Sequence, residues 1–273
     1  MIDAKMVRKK ADRMRQLALE AIANAGSGHP GGSLSAADIV ATLYFYKMRI
    51  NPKQPAWSKR DRFVLSKGHA CPILYAALAE KGYITLQDLK SLRQTDSFLQ
   101  GHPDMKHTSG IDMSTGSLGQ GISAAVGMAY AAKMDKKDYR VYCLLGDGEC
   151  EEGQVWEAVM SAAQFDLNNL VVIVDYNHLQ IDGTNEEIMN ITNVSDRFKA
   201  SRWQVLSVDG HDIEQIGAAL DEADRLTNGP VVIIANTIKG KGVSFMENKV
   251  DWHGKAPNSD ELKQAIAELG GVL

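Results

Sequence analysis

VYCLLGDGECEEGQVWEAVMSAAQFDLNNLVVIVDYNHLQIDG, residues 141–183, is the stretch that decides the fold of this chain. Val141–Leu145 and Leu170–Val174 are short apolar runs rich in β-branched residues, which predicts two buried parallel strands. The residues between them carry apolar side chains at helical spacing, so a helix should connect the strands. A right-handed crossover places the carboxyl ends of both strands on one edge of the sheet. We therefore expect Asp147 and Asn177 to be neighbours in space.

Acidic residues are concentrated directly after the first of these strands, in the segment GDGECEEG. The glycines beside Asp147 let the backbone approach a ligand closely, and the start of the following helix favours an anion. Carboxylates and an anion repel each other unless a cation joins them, and Asp and Asn oxygens suit Mg²⁺. The segment thus predicts a divalent metal that bridges the protein to a diphosphate-like group. The alternative is an ordinary Gly-Asp-Gly turn with solvated acids.

Length and composition limit the possible classes of protein. The chain has 273 residues, of which 44% are hydrophobic and 23% charged, so it can form one large α/β domain or two small ones. A net charge of −4 without a basic run argues against nucleic acid as a partner. No segment has the length and apolarity of a membrane span. Cys71, Cys143 and Cys150 lack metal-binding spacing, which favours buried thiols in a reducing, cytoplasmic compartment.

Three more strands are predicted, at Arg62–Leu65, Val205–Val208 and Val231–Ala235. Each of the five strands runs into a polar segment that contains glycine or asparagine, namely SKGH, GDG, DYN, VDGH and TIKGKG. In a doubly wound parallel sheet with helices on both faces, ligands bind outside the carboxyl ends of the strands. The sequence therefore predicts this α/β fold, with a functional site at that edge.

Helices are predicted from apolar spacing and from capping residues. The loop GSGHPGGS, residues 26–33, should precede a helix with Ser35 as its N-cap, and Thr85 with Asp88 should begin another. A functional loop is expected over about 237–258, and residues 185–200 are too polar and irregular for an assignment. The remaining helices are expected at Ala4–Ala25, Cys71–Glu80, Ile122–Lys133, around Ile213–Leu220, and from the cap Ser259 to about Leu269.

Eight motifs occur in an order that resembles the diphosphate-binding half of transketolase, across almost the whole chain. They are GHPGG, SKGHA, QGHPD, TGSLGQG, GDGECEEG, DYNHLQIDG, VDGHD and WHGK. The resemblance implies one thiamin-diphosphate-binding domain over residues 1–273, of the type that binds the diphosphate. One departure is mild: Ser117 stands where the family often has proline.

The resemblance also implies a role for individual residues. Asp147, Asn177 and the carbonyl of Leu179 would hold Mg²⁺, with Ca²⁺ or Mn²⁺ as alternatives, and the metal would anchor the diphosphate. Residues at matching positions would also contact the cofactor, namely His69, Gly116, Leu118, Asp147, Gly148, Glu152, Asn177, Ile181 and His253. Glu152 matches a position that joins subunits near the cofactor, although a helix N-terminal acid is an equally good explanation.

Four histidines, His29, His69, His102 and His253, match family positions that line the substrate channel. By resemblance they would be catalytic, bonding sugar hydroxyls or moving protons, as a neutral imidazole can do near pH 7. His211 lies in a recurring DGHD turn and is expected to be structural. His107 and His178 are expected at the surface.

The resemblance implies a transketolase of the pentose phosphate pathway, which transfers a two-carbon ketol unit from a ketose phosphate to an aldose phosphate. In the family, a second domain supplies the glutamate that activates the cofactor and most arginines that bind the sugar phosphate. Because this sequence stops at Leu273, we expect the N-terminal subunit of a split enzyme. It would need a companion subunit with the pyrimidine-binding half, in an α2β2 heterotetramer.

Three alternatives remain. The enzyme could transfer ketol units from a sulfonated or branched sugar, since the residues that bind the far end of the sugar would lie on the companion. The α-subunit of a 2-oxo acid dehydrogenase is disfavoured, because paired GHP motifs suit a polyhydroxy substrate. A non-catalytic binding or regulatory module is disfavoured because all four channel histidines are present.

Overall fold

A computed structural model describes residues 2–191 and 193–272. These residues form a five-stranded sheet in the order β1-β2-β3-β5-β4, and every pair of neighbouring strands is parallel. All five predicted strands are confirmed, and four extend one or two residues beyond their predicted bounds. The strands are β1 Arg62–Leu65, β2 Val141–Gly146, β3 Leu170–Tyr176, β4 Gln204–Asp209 and β5 Val231–Asn236.

Helices cover both faces of the sheet, because alternate residues of a strand point to opposite faces. Tyr142 and Leu144 belong to one buried cluster, while Cys143 and Leu145 belong to another on the opposite side. The predicted doubly wound α/β fold is therefore confirmed. The helices are α1 Ala4–Ala25, α2 Pro30–Ser35, α3 Ala37–Thr42, α4 Cys71–Lys81, α5 Gln120–Met134, α6 Gly153–Gln164, α7 Asn185–Ile188, α8 Val194–Ala200, α9 Ile213–Arg225 and α10 Ser259–Glu268.

Helix α2 begins earlier than its sequence suggested. Pro30 starts the helix inside the GHPGGS segment, where its fixed φ and missing N–H are favourable. The prediction of Ser35 as N-cap was wrong, because Ser35 is the last residue of α2 and its hydroxyl donates to Asp175 Oδ2 at 2.6 Å. Close packing explains the glycines, since a Cβ on Gly31 would lie 2.8 Å from the carbonyl oxygen of Trp252.

Two other helix starts also differ from the prediction. Thr85 and Asp88 form the expected reciprocal bonds, but only a 3₁₀ turn, Asp88–Ser91, follows them. The cap of α10 is Asn258 and not Ser259, because the Asn258 side chain accepts from two backbone N–H groups. Short helices α7 and α8 lie in the polar segment 185–200, for which the sequence predicted no element, and Thr192 within it is outside the described residues.

Several expectations about surface and core are confirmed. The three cysteines are buried and free. His107 and His178 are exposed. In the part of the chain that the structure describes, no helix has the length and apolar character needed to cross a bilayer.

Candidate active site

A cavity of about 250 Å³ lies outside the carboxyl ends of the central strands. Loops that follow β1, β2, β3 and β5 contribute to its wall, as the topology of a doubly wound sheet predicts. Ten residues that were singled out from the sequence line this cavity: His29, His69, Gly116, Leu118, Asp147, Gly148, Asn177, Leu179, Ile181 and His253.

Two predicted site residues, His102 and Glu152, do not line the cavity wall. His102 is exposed, and its ring packs against Gly116, where a Cβ would lie 2.9 Å from His102 Cδ2. Glu152 is exposed at the N-cap position of α6 and packs against Gly119. His102 therefore lies at the rim of the cavity beside Gly116, whereas Glu152 lies beside Gly119, which is not part of the cavity wall.

The residues expected to hold a metal come together as the strand register requires. Gly146 pairs with Asp175 across β2 and β3, so Asp147 and Asn177 follow neighbouring strand ends. The two oxygens of Asp147 accept from Gly148 N at 2.9 Å and from His178 N at 2.5 Å. Burial, with a further contribution from the charge of Asp175, raises the pKa of Asp147 to about 6. The carboxylate is thus buried without a cationic side chain bonded to it in the described part of the molecule.

The oxygens available here suit a hard cation. Asn177 supplies an amide oxygen that accepts from Leu179 N at 3.2 Å, and Leu179 supplies a backbone carbonyl. Within residues 2–191 and 193–272, no group of three His, Cys, Asp or Glu side chains is placed to hold an ion. A metal at this edge would therefore depend on the carboxylate of Asp147 together with amide and carbonyl oxygens. Such a set with few protein ligands fits Mg²⁺, which retains waters and phosphate oxygens.

Three histidines also line the cavity. The ring centroids of His29, His69 and His253 are 5.3 to 5.5 Å apart. Burial, and then the charge of Arg93, lowers the pKa of His29 to about 4. Burial, and then Lys239, lowers the pKa of His253 to about 3. Burial, and then the charge of Lys67, lowers the pKa of His69 well below its ordinary value. All three rings are consequently neutral at pH 7 and can both donate and accept hydrogen bonds.

One ring nitrogen in this group has no partner among the residues that the structure describes. It is the buried Nδ1 atom of His29, whereas buried polar atoms are normally satisfied. A ligand hydroxyl or a water molecule would complete the bonding of this nitrogen. The histidine group therefore offers an open hydrogen-bonding position beside the candidate metal ligands.

Two buried lysines also line the cavity, and neither was among the site residues predicted from the sequence. Lys67 is 1% exposed, and its Nζ lies 2.5 Å from Asp175 Oδ2 and 3.1 Å from the carbonyl oxygen of Gly32. Lys239 is 2% exposed, and its Nζ lies 2.8 Å from both the Leu179 carbonyl oxygen and His253 Nδ1. No carboxylate pairs with Lys239 in the described part of the chain, and burial, followed by the charge of Lys67, lowers its pKa to about 8.

Lys239 thus brings an uncompensated positive charge to the candidate metal ligands. A carbonyl oxygen has two lone pairs, so Leu179 can accept from Lys239 and still bind a cation. An anionic diphosphate at this position would compensate the charge of Lys239. The available sequence signal was a lysine directly before glycine in a loop that follows a buried strand, in SKGHA and in TIKGKG.

Glu149 is another buried group of the cavity, and the sequence predicted no individual role for it. Its carboxylate accepts from Ser66 Oγ at 2.5 Å, Gly119 N at 2.9 Å and Gly146 N at 3.1 Å. Ser66 follows β1, Gly119 precedes α5 and Gly146 is the last residue of β2. Glu149 therefore connects three segments around the cavity by hydrogen bonds. Gly148 beside it is closely packed, because a Cβ there would lie 3.3 Å from Gln180 Cβ.

Comparisons with known proteins agree with this geometry. Residues 6–271 match the family model described as transketolase, thiamine diphosphate binding domain. A 6-deoxy-6-sulfo-D-fructose transketolase subunit from Clostridium sp. (strain MSTE9) is 48% identical over 95% of this chain and 94% of its own length. An apulose-4-phosphate transketolase subunit of Phocaeicola vulgatus is 43% identical over 95% of this chain and 92% of its own length.

Single-chain transketolases match over less of their own length. Human transketolase is 45% identical over 95% of this chain, which corresponds to 41% of the human protein. The crystal structure of transketolase from Campylobacter jejuni superposes with a TM-score of 0.95 at 38% identity, over 99% of this chain and 44% of that chain. From the family match, the relatives and the geometry together, this chain belongs to the transketolase family and corresponds to its thiamine-diphosphate-binding domain.

Proposed function

We propose that this chain is the cofactor-binding subunit of a two-chain transketolase, which transfers a two-carbon ketol unit from a ketose to an aldose. The observation that carries the proposal is a single cavity that combines hard oxygen ligands, an uncompensated lysine and three neutral histidines. The role as a subunit is supported by two relatives that are themselves named subunits and that this chain covers over 94% and 92% of their length.

The residues present fit thiamin diphosphate and a divalent ion. Asp147, Asn177 and the Leu179 carbonyl would hold Mg²⁺, with Ca²⁺ or Mn²⁺ as substitutes, while Gly148 and Lys239 would contact the diphosphate. When bound, the thiazolium of the cofactor supplies the electron sink for cleavage of the bond next to a ketose carbonyl. The chain itself contributes binding, orientation and exclusion of water.

The histidines would act on the sugar. His29, His69 and His253 are neutral at pH 7 and close enough to one another to bond adjacent hydroxyls. The free Nδ1 of His29 can accept a proton from a hydroxyl or donate one, depending on its tautomer. His102 at the rim would contact substrate at the entrance to the channel.

We further propose that a companion subunit covers the open side of the cavity. The cavity in this chain has a volume of about 250 Å³, which is below the roughly 300–1,000 Å³ typical of complete ligand sites. Ile181 lines the cavity and is 64% exposed, so it would contact both the cofactor rings and the companion. Glu152, which is exposed at the N-cap of α6, would contact the companion near the cofactor. We propose a cytoplasmic α2β2 assembly in which residues 1–273 form one domain.

Reconstitution tests this proposal. The chain would be purified alone and together with a transketolase subunit that carries the pyrimidine-binding half, and ketol transfer would be measured with thiamin diphosphate and Mg²⁺. We expect no turnover by the chain alone and turnover when the companion is added. Full turnover by the chain alone would contradict the subunit role, and no cofactor binding by the complex would contradict the proposed function itself.

A second candidate concerns the sugar. The sulfo-fructose relative and the apulose-phosphate relative are 48% and 43% identical to this chain, against 45% for human transketolase. The residues for the far end of the sugar would lie on the companion, so the choice of donor would be a property of the complex. Competition in the reconstituted complex between a sulfonated ketose and a ketose phosphate would identify the preferred donor. Decarboxylation of a 2-oxo acid without ketol transfer would instead favour a 2-oxo acid dehydrogenase subunit.

A further inference from the structure

His211, in the loop after β4, forms hydrogen bonds on both sides of its ring although it does not line the cavity. Its Nδ1 lies 2.8 Å from Asp38 Oδ2, and its Nε2 lies 2.8 Å from the backbone nitrogen of Ile238. The side chain is only 11% exposed. The ring therefore forms a bridge between α3 and the loop that follows β5.

The chemistry of the two partners fixes the tautomer of this ring. The backbone N–H of Ile238 can only donate, so His211 Nε2 must be the acceptor and carry no proton. The proton then lies on Nδ1 and is donated to the carboxylate of Asp38. His211 thus acts as a neutral linker with one defined donor and one defined acceptor.

The end of the bridge at Asp38 is rigidly held. Asp38 is completely buried and also bonds Arg15 at 2.5 Å and Arg8 at 2.6 Å. The backbone N–H of His211 donates to Asp209 Oδ1 at 2.8 Å, and its carbonyl accepts from Arg8. The side chain and the backbone of His211 are both fixed by groups outside the cavity.

The other end of the bridge adjoins the cavity. Ile238 directly precedes Lys239, whose Nζ contacts the Leu179 carbonyl and His253. Backbone bonds hold the turn on either side, from Thr237 N to the Tyr176 carbonyl and from Gly240 N to the Gly31 carbonyl. Between them, the backbone N–H of Ile238 is held by the ring of His211.

We propose that His211 is a positioning residue for cofactor binding, which holds the turn of Lys239 through the Ile238 N–H and so places the lysine ammonium against the diphosphate. This inference rests on the proposed function, because it assigns the diphosphate as the anion that Lys239 meets. It is distinct from a role in the fold alone, for which the bond between His211 and Asp38 would be sufficient.

Two variants separate the two bonds of the ring. In His211→Asn the side-chain amide can replace Nδ1 as a donor to Asp38, but nothing reaches the Ile238 N–H. In His211→Gln the amide oxygen can replace Nε2 as the acceptor, and the donor to Asp38 is lost. If the turn of Lys239 is what matters, Gln preserves cofactor binding and Asn does not. If His211 affects only the fold, His211→Asn preserves cofactor binding and His211→Gln does not.

The experiment measures the dissociation constant of thiamin diphosphate at saturating Mg²⁺ by calorimetry, in the complex with the companion subunit. We expect His211→Asn to weaken binding about three- to tenfold, the effect of one lost hydrogen bond, and His211→Gln to stay within about twofold. The kcat at saturating cofactor should remain within about twofold in both variants. The melting temperature of each unliganded variant reports the effect on the fold separately.

A double variant tests whether His211 acts through Lys239. Lys239→Met alone removes the ammonium, so adding His211→Asn should weaken binding no further. The inference would be overturned if all variants bound thiamin diphosphate with equal affinity, or if His211→Asn and His211→Gln lost the same affinity. It would also be overturned if His211→Asn preserved binding and His211→Gln did not, or if the losses in His211→Asn and Lys239→Met were fully additive. Failure of the wild-type complex to bind thiamin diphosphate would instead overturn the proposed function.

Discussion

Asp38 and Asp147 are two buried acids in very different surroundings. Asp38 is 0% exposed and Asp147 is 3% exposed, so both are removed from water to the same degree. Burial alone would raise the pKa of Asp38, but Arg15, His211 and Arg8 outweigh it and hold the pKa at about 2. Burial raises the pKa of Asp147 to about 6, because backbone N–H groups compensate its charge only partly.

The buried lysines show the same contrast within the cavity. Lys67 pairs with Asp175 at 2.5 Å, whereas Lys239 contacts a carbonyl and an imidazole. A charge that the protein pairs internally stabilises the fold, and a charge left unpaired is available to a ligand at a cost in stability. The difference separates the structural ionic cluster around Asp38 from the candidate binding residues Asp147 and Lys239.

The largest effect is expected from breaking the paired cluster. Asp38→Asn would leave Arg15, which is 2% exposed, without its buried partner. Removing one member of a buried pair typically costs about 3–5 kcal/mol, so the free energy of unfolding should fall by that amount in chemical denaturation. The matched control is Asp12→Asn, since Asp12 also bonds Arg15 but is 41% exposed, and should cost less than about 1 kcal/mol. Equal small losses would contradict the structural role of Asp38.

Asp147→Asn should mainly weaken cofactor binding, with a smaller effect on stability than Asp38→Asn. Affinity for thiamin diphosphate with Mg²⁺ should fall about 100-fold in calorimetry, because a ligand of the metal loses its charge. The free energy of unfolding of the unliganded variant should fall by no more than about 2 kcal/mol, since one backbone N–H loses its acceptor while the burial cost of an uncompensated carboxylate is removed. Asp182→Asn, an exposed acid in the same region, is the control and should change neither quantity. A stability loss as large as that of Asp38→Asn would break the comparison.

Lys239→Met tests the cationic side of the contrast. We expect about tenfold weaker binding of thiamin diphosphate, the loss of one charged contact to the diphosphate. Unliganded stability should not decrease by more than about 1 kcal/mol, because burial already disfavours the ammonium of Lys239. Lys241→Met is the matched control, as Lys241 is partly exposed and pairs with Glu247 at 3.3 Å. Unchanged cofactor affinity in Lys239→Met would remove Lys239 from the proposed site.

The smallest effect concerns pH. The pKa of His29 in the fold is about 4, below its ordinary 6.5, so its contribution to stability is complete above pH 6.5 and is lost as pH falls toward 4. In chemical denaturation, the free energy of unfolding of wild type should therefore fall more between pH 7 and pH 5 than that of His29→Asn. The additional loss in wild type should amount to about 1 kcal/mol or less, because the ring is partly exposed. An equal fall in wild type and in His29→Asn would show that His29 is not buried as a neutral ring.

Apolar periodicity and turn residues were sufficient to predict the sheet. Five strands were found because buried parallel strands are continuous apolar runs, and the crossover rule then gave the edge where Asp147 and Asn177 meet. Helix starts were predicted less well. Ser35 and Ser259 have good capping chemistry, but packing of Pro30 and the side chain of Asn258 determined where α2 and α10 begin.

The sequence by itself determined the fold, the edge that carries the site, and ten of the residues that line the cavity, because these follow from local patterns and from ordered motifs. Only the tertiary structure decided which charged residues are buried and with what partners. Lys239 and Asp38 look like ordinary polar residues in sequence, and the protonation of His211 depends on Ile238 and Asp38, which lie far from each other along the chain. Burial and charge compensation depend on contacts between distant segments, and local sequence patterns carry no record of them.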